Sequence, residues 1–485
     1  MASIIDMING ILWSNYLIYS LLIIGLYFTV RMKFIQFRSI KEMVKLLLDR
    51  KSGEQGITSF QAFALSIAGR VGVGNIAGVA TAISLGGPGA VFWMWCLALI
   101  GSATAFVEST LAQVYKEEYN GQYRGGTAYY IEKYTGMKFL GILFAISLIY
   151  GSTVGVPWLQ SHAIASSFEN AFGISRMMTG IIVTLLVSIV IFGGVKRIGK
   201  VAEVLVPFMA GIYLLIALVI IVLNISELPG VIALIFKSAF GTEQAFAGIV
   251  GAAISNGVKR GIYSNEAGMG TATQAAAAAD VSHPAKQGLV QAFSVYIDTM
   301  LVCTATAFMI LITKSYNVMG PTGDFIVNHL QGVEAGPVYT QMAVDTIAPG
   351  FGSAFVAIAL FLFAYTTLIA YYYAGETVGV YIQEKTGLKL IPVIRGLFVV
   401  FTLVGATQTS AIAWGMADIG VGLLTWINII ALAISGGVAI KVLKDYESQK
   451  AQGVDPIFNP DDLGIKNADV WRIGNVKSSK IEKSK

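Results

Sequence analysis

The chain has 485 residues, of which 55% are hydrophobic and only 13% charged, with a formal net charge of +5 and a positive mean hydropathy of +0.70. Soluble domains carry about a quarter charged residues, so this composition excludes an ordinary soluble enzyme and predicts a polytopic, all-α membrane protein. The basic residues come with no zinc-finger, helicase or phosphate-loop spacing, which removes nucleic acid as a partner.

A helix needs about 20 mostly apolar residues to cross the ~30 Å hydrocarbon core. Eleven segments meet that demand, at 14–32, 59–86, 90–115, 137–168, 177–194, 200–224, 244–280, 287–313, 350–383, 391–408 and 412–440. Residues 1–15 carry Asp6 and no basic residue, unlike a cleaved signal peptide, so the first span is expected to stay in the mature chain. Arg31, Lys33, Arg38, Lys41, Lys45, Arg50 and Lys51 follow it as a cytoplasmic stop. Among them Phe37, Ile40, Val44 and Leu47 recur at helical spacing, predicting an amphipathic helix on the inner membrane surface.

With the N-terminus outside, roughly 27 of the 33 Lys and Arg fall on cytoplasmic segments or at the cytoplasmic ends of spans, about three outside (Arg176, Lys237, Lys314) and three deep within spans. That bias sets the orientation, and an odd number of spans places the C-terminus in the cytoplasm. The expected organisation is an N-terminal helix with its linker (1–57), five helices (58–224), five more (225–443) and a polar, Lys-rich, solvated tail (444–485). A half with an odd number of spans reverses direction, which is the arrangement of an inverted five-plus-five repeat.

Each half opens on a glycine-broken helix: Ser66-Ile67-Ala68-Gly69-Arg70-Val71-Gly72-Val73-Gly74-Asn75-Ile76-Ala77-Gly78, and Ser264-Asn265-Glu266-Ala267-Gly268-Met269-Gly270. Unwound backbone at membrane depth is tolerated where it lines a cavity, and paired interrupted helices point to the binding site of a secondary transporter. A break exposes amide N–H groups suited to a carboxylate and carbonyls suited to a hard cation. Gly72 and Gly74 let backbone approach a ligand, and Asn75 adds a carboxamide that donates or accepts.

Cys96 and Cys303 lie within spans as small buried side chains, and His162, His283 and His329 are too scattered for a metal-ligand set, so no cofactor is expected. Intramembrane charge is costly and carries a reason. Glu266 is expected to brace the second break, Glu108 to bond a neighbouring helix, and Arg70 to pair with Asp298, Glu376 or Asp418. Lys259 and Arg260 are expected at a water-filled vestibule rather than in lipid. Gly415, Ala417, Gly420 and Gly422 read as a close-packing surface.

Four motifs carry a resemblance: Gly69 to Gly78, the run Gly86-Gly87-Pro88-Gly89-Ala90-Val91-Phe92-Trp93-Met94-Trp95, residues 264–270, and Ile297-Asp298-Thr299-Met300-Leu301-Val302-Cys303-Thr304. Together they resemble the alanine or glycine:cation symporter family over about residues 60–440. The resemblance implies a bacterial cytoplasmic-membrane protein of LeuT-like fold, with one extra N-terminal helix, importing a small neutral amino acid with sodium by alternating access. No nucleophile, acid–base pair or metal cluster gathers near one depth, so no enzyme activity is expected, and no obligatory protein partner is evident in the sequence.

By the same resemblance, Gly74, Asn75, Gln160, Tyr263 and Ser264 line the amino-acid site and Tyr371 closes its side-chain pocket. Sodium is expected at the carbonyls of Ala68, Val71 and Phe363 with the hydroxyls of Thr366 and Thr367, although threonines in a membrane helix also bond back to the preceding turn. Val73, His162 and Tyr371 stand where many members have Thr, Asn and Trp. The Tyr371-Tyr372-Tyr373 run is similar to the branch that takes larger substrates, so glutamine is the alternative to alanine or glycine, and proton coupling the alternative to sodium.

Overall fold

The computed structural model describes residues 2–47 and 56–472; Arg50, Lys51 and the lysines beyond Arg472 lie outside the described residues. The chain is a helical bundle with two small hairpins, Glu117–Tyr119 with Gln122–Arg124 and Asn317–Met319 with Phe325–Asn328. Among the described residues, seven helices are long and apolar enough to cross a membrane, nine when each bent pair counts as one span. Two shorter apolar helices, Arg176–Ile191 and Ile391–Ala406, accompany them.

The first broken helix begins where the sequence supplies a cap. Thr58 accepts from the Gln61 N–H and the Gln61 side chain returns the bond to the Thr58 N–H, satisfying two amides that the first turn leaves free. The helix Ser59–Arg70 then stops, and the chain resumes after a 49° bend through a wide, π-type turn (Gly74–Gly78) into Val79–Gly86. The second break falls at the expected motif. Helix Val250–Asn265 ends at Glu266, and the left-handed φ values of Glu266 (58°), Gly268 (92°) and Gly270 (81°) carry the chain into the short helix Thr273–Ala278. Glycine is the residue that adopts such angles without a Cβ penalty. Parallel pairing of Ile57 with Ala279 ties the two broken helices together at one end.

Two further wide turns interrupt long helices at the centre: Gly151–Gly155, between Lys138–Tyr150 and Val156–Phe172, and Tyr296–Cys303, between Pro284–Val295 and Thr304–Ile312. Turns of this kind concentrate at functional sites, and these two place Gln160 and Asp298 beside the breaks. The long helix Phe351–Thr386 packs along the first broken helix and carries Phe363, Thr366, Thr367 and Tyr371.

The structure adds to the expected organisation at both ends of the chain. A helix Ala2–Leu12 precedes Asn15–Arg31 and packs on the last long helix, Ser410–Ala451. The small-residue surface of that helix is a close-packing face: a Cβ at Gly415 would fall 2.3 Å from Ile5 Cγ2, and one at Gly420 3.1 Å from Gly151 Cα. The linker helix is Ile40–Leu47. Met43 and Leu46 pack inward while Phe37, Ile40 and Val44 remain exposed.

The tail was expected to be solvated, yet up to Arg472 it folds back on the bundle. Phe458, Ile465, Ala468 and Trp471 are buried, the Trp471 Nε1–H donates to the Gln113 carbonyl at 2.9 Å, and the Lys116 ammonium lies 4.7 Å from the Trp471 ring centroid. Composition marked this segment as polar because its few apolar residues are spaced singly among charged ones.

Candidate functional site

At the first break the backbone loses its helical partners in a defined way. The Gly72 N–H, which a continuing helix would aim at the Ala68 carbonyl, donates to Asn75 Oδ1 at 2.8 Å. The Asn75 N–H reaches the Gly72 carbonyl, three residues back, instead of Val71 four back. The expected sodium-facing carbonyls of Ala68 and Val71 are therefore those whose helical donors are diverted.

Thr366 and Thr367 both donate to the Phe363 carbonyl, at 2.9 and 3.0 Å. This is back-bonding to the preceding turn, but each hydroxyl oxygen keeps lone pairs for a cation. The long helix meets the break directly: a Cβ built on Gly72 would lie 2.4 Å from Thr367 Oγ1 and 3.2 Å from Gln160 Oε1. Gln160 accepts from the Val73 N–H at 3.2 Å, and its Nε2 lies 3.5 Å from the Tyr263 hydroxyl. The structure thus brings Gly72, Val73, Gln160, Tyr263 and Thr367 together. Gly74 packs against the same region, with its Cβ direction 3.1 Å from the Tyr263 ring.

Asn75 and Ser264 belong to an adjacent node centred on Asp298. Asn75 Nδ2 donates to Asp298 Oδ1 at 2.7 Å and the Ser264 hydroxyl to Asp298 Oδ2 at 2.8 Å. Thr299 also donates to Oδ2, at 2.7 Å, and Cys303 Sγ sits 3.3 Å from Asn75 Nδ2 and 3.2 Å from Ser264 Oγ. The carboxamide of Asn75 is fully engaged here in holding the break's shape. Sequence reasoning placed Asp298 in a family motif and as a partner for Arg70, but not in the site; its cost within a span was the available signal for this larger role.

Tyr371 stands in a third place. Its hydroxyl donates to Glu266, and both line a small cavity with Gly69, Ser66 and Thr271. Glu266 braces the long helix through Tyr371, whereas Glu108 braces the second break itself: its Oε2 accepts from the Gly268 N–H at 3.3 Å and from Asn428 Nδ2 at 2.9 Å. Asn428 Nδ2 also donates to the Gly268 carbonyl at 2.9 Å.

Arg70 is fully buried, and its Nη1 donates to the Gln291 carbonyl at 3.1 Å and to the Ser294 hydroxyl. Of the partners expected for it, Glu376 pairs with Arg124 at 3.0 Å, and Asp418 pairs with Lys259 at 2.7 Å and Arg260 at 2.8 Å. Asp298, the third expected partner, makes no ion pair with Arg70 among the described residues and accepts instead from Asn75, Ser264 and Thr299.

A cavity of about 350 Å³ reaches the first break from the face that carries Arg176 and Glu334. Its lining includes Val73, Leu159, His162 and Trp414. The Arg260 guanidinium lies 4.2 Å from the Trp414 ring centroid, and Tyr263 meets the same ring edge-on at 5.3 Å. On the other side of the break the Tyr371 cavity is only about 20 Å³. Val73 and His162 therefore share one cavity and Tyr371 lines another. Trp414 and Glu334, absent from the sequence-based site, reach the cavity through folding alone.

Breaks that free backbone polar groups inside an apolar bundle, with a cavity leading to them, are the architecture of a multi-pass α-helical transporter of LeuT-like fold. The fold resembles that of the Eremococcus coleocola manganese transporter, with a TM-score of 0.52 at 14% identity over 86% of this chain and 85% of that one. The sequence pattern of the sodium:alanine symporter family matches residues 1–460, and this chain belongs to that family. It is 52% identical to the sodium/proton-dependent alanine carrier protein of Bacillus sp. strain PS3, over 89% of this chain and 97% of that one. It is 44% identical to the Bacillus subtilis chain named "Probable sodium/glutamine symporter GlnT", over 98% and 97% respectively.

Proposed function

We propose that this protein imports a small neutral amino acid, alanine foremost, with sodium, by alternating access. The observation that carries the reading is the first break, where the Ala68 and Val71 carbonyls lose their helical donors beside Phe363, Thr366 and Thr367. Three carbonyls and two hydroxyls form an all-oxygen set that suits a hard monovalent cation. Sodium, as a transported ion, would be held there. The amino acid would sit against the cavity side of the same break, its carboxylate toward the Gly74 region and its side chain toward Gln160 and Tyr263. Asn75 and Ser264 act on it by holding the backbone, and Tyr371 acts through Glu266.

The basic-residue bias supports an N-terminus outside and a C-terminus in the cytoplasm of a bacterial membrane. In that orientation the Arg176 cavity is the outer vestibule, and the chain divides into five-helix halves at 58–224 and 225–443. Sodium favours the outward, substrate-ready arrangement because it binds that state better, and occupation by the amino acid closes the vestibule.

A second reading, glutamine as the preferred substrate, is favoured by one observation: Tyr371 lines a different cavity from Val73 and His162, so it does not wall off a longer side chain. Uptake of labelled alanine and glutamine by proteoliposomes under an inward sodium gradient tests both. Alanine uptake exceeding glutamine supports the first reading, the reverse order supports the second, and uptake that persists with potassium in place of sodium overturns sodium coupling in favour of protons.

A further inference from the structure

Away from the transport site, the returning tail, the helix Thr127–Thr135 and the last long helix enclose a recess of about 420 Å³. Three lysines line it. Lys133 is held by Glu117 at 2.9 Å and Asp469 at 3.5 Å. Lys441 and Lys466 are exposed, and among the described residues neither has a carboxylate within 4 Å. Two uncompensated ammonium groups at the mouth of one recess call for an anion.

The recess also has an apolar approach. Ile430, Ile434, Gly437 and Lys441 follow one another at helical spacing along one face of the last helix, and all four are exposed. A Cβ built on Gly437 would meet nothing within 4 Å, so the groove is open where it enters the recess. The neighbouring helix Lys138–Tyr150 exposes Phe139, Leu143 and Ile146. Exposed apolar residues on the span of a membrane protein face acyl chains, and the lysines stand where that apolar stripe ends.

We infer that this recess binds an anionic phospholipid, with the headgroup phosphate between Lys441 and Lys466 and an acyl chain along the Ile430–Ile434–Gly437 groove. A soluble anion would use the lysines and leave the groove idle. Because Lys466 belongs to the tail and Lys441 to the last helix, the bound lipid fastens the tail to the bundle.

Native mass spectrometry of the full-length protein, titrated with phosphatidylglycerol and with phosphatidylcholine of the same chains, tests this. Phosphatidylglycerol is retained in preference, and Lys441→Gln and Lys466→Gln each weaken it about fivefold while leaving phosphatidylcholine unchanged. Gly437→Leu, which fills the groove and keeps every charge, also lowers phosphatidylglycerol occupancy. Undiminished phosphatidylglycerol binding in the Lys441→Gln, Lys466→Gln double variant would overturn the inference. So would equal binding by Gly437→Leu together with displacement of the lipid by millimolar inorganic phosphate, which would make the recess a soluble-anion site.

Discussion

Gly72 has no room for a side chain, because a Cβ would lie 2.4 Å from Thr367 Oγ1 and 3.2 Å from Gln160 Oε1. Overpacking of this kind costs about 1–3 kcal/mol. Gly72→Ala is expected to reduce sodium-driven uptake on the order of tenfold while the protein still purifies as a monodisperse species. Asn75→Ala leaves the Gly72 N–H and one Asp298 oxygen without their partner, each buried loss costing about 1–3 kcal/mol. Uptake in that variant should vanish with membrane insertion intact; normal kinetics would remove the break from the site. The glycines and Asn75 were legible because their chemistry is local to the motif. The division among Gln160, Asp298 and Glu266 was not, since Asn75 meets Asp298 across 223 positions of sequence and only folding selects one acid from several.

At the scale of elements, both breaks were readable from Gly spacing, but the wide turns at Gly151–Gly155 and Tyr296–Cys303 have no comparable signature. The docked tail was also hidden, because single apolar residues among charges give no periodicity. Trp471 is buried with its Nε1–H on Gln113, so Trp471→Ala should lower unfolding stability by about 3 kcal/mol, read as a fall in melting temperature. An unchanged melting temperature would mean the tail is not docked.

The linker helix Ile40–Leu47 is tied to the end of the last helix through Glu42, which accepts from Tyr446 at 2.7 Å and Lys450 at 2.8 Å. Burial pushes the Glu42 carboxyl up, but these bonds outweigh it and hold its pKa below the ordinary 4.5. A carboxyl lowered on folding contributes stability above its unfolded pKa and loses it as pH falls through the folded one. Spin labels at Lys41 and Ser448 should therefore keep one distance at neutral pH and separate below about pH 4.5. Glu42→Gln should show the broader distribution already at pH 7.

For the whole molecule, composition and hydropathy suffice for a polytopic bundle because the bilayer imposes its length on every span. The span count is less legible: the sequence reading counts 177–194 and 391–408 as spans where the helices Arg176–Ile191 and Ile391–Ala406 are short, and it starts the first span at 14, leaving out the helix Ala2–Leu12 that runs ahead of Asn15–Arg31. The asymmetry between a cavity of about 350 Å³ on one side of the break and about 20 Å³ on the other is a property of the assembled fold, with no trace in local sequence.

In the function proposed above, sodium binds where the break meets the long helix. The sodium dependence of alanine uptake by wild type and Thr367→Ala in proteoliposomes measures this directly. A rise in the half-saturating sodium concentration of about tenfold or more, with alanine uptake recovered at high sodium, is the result the site predicts. An identical sodium curve in the two proteins would contradict it and place the coupling ion elsewhere.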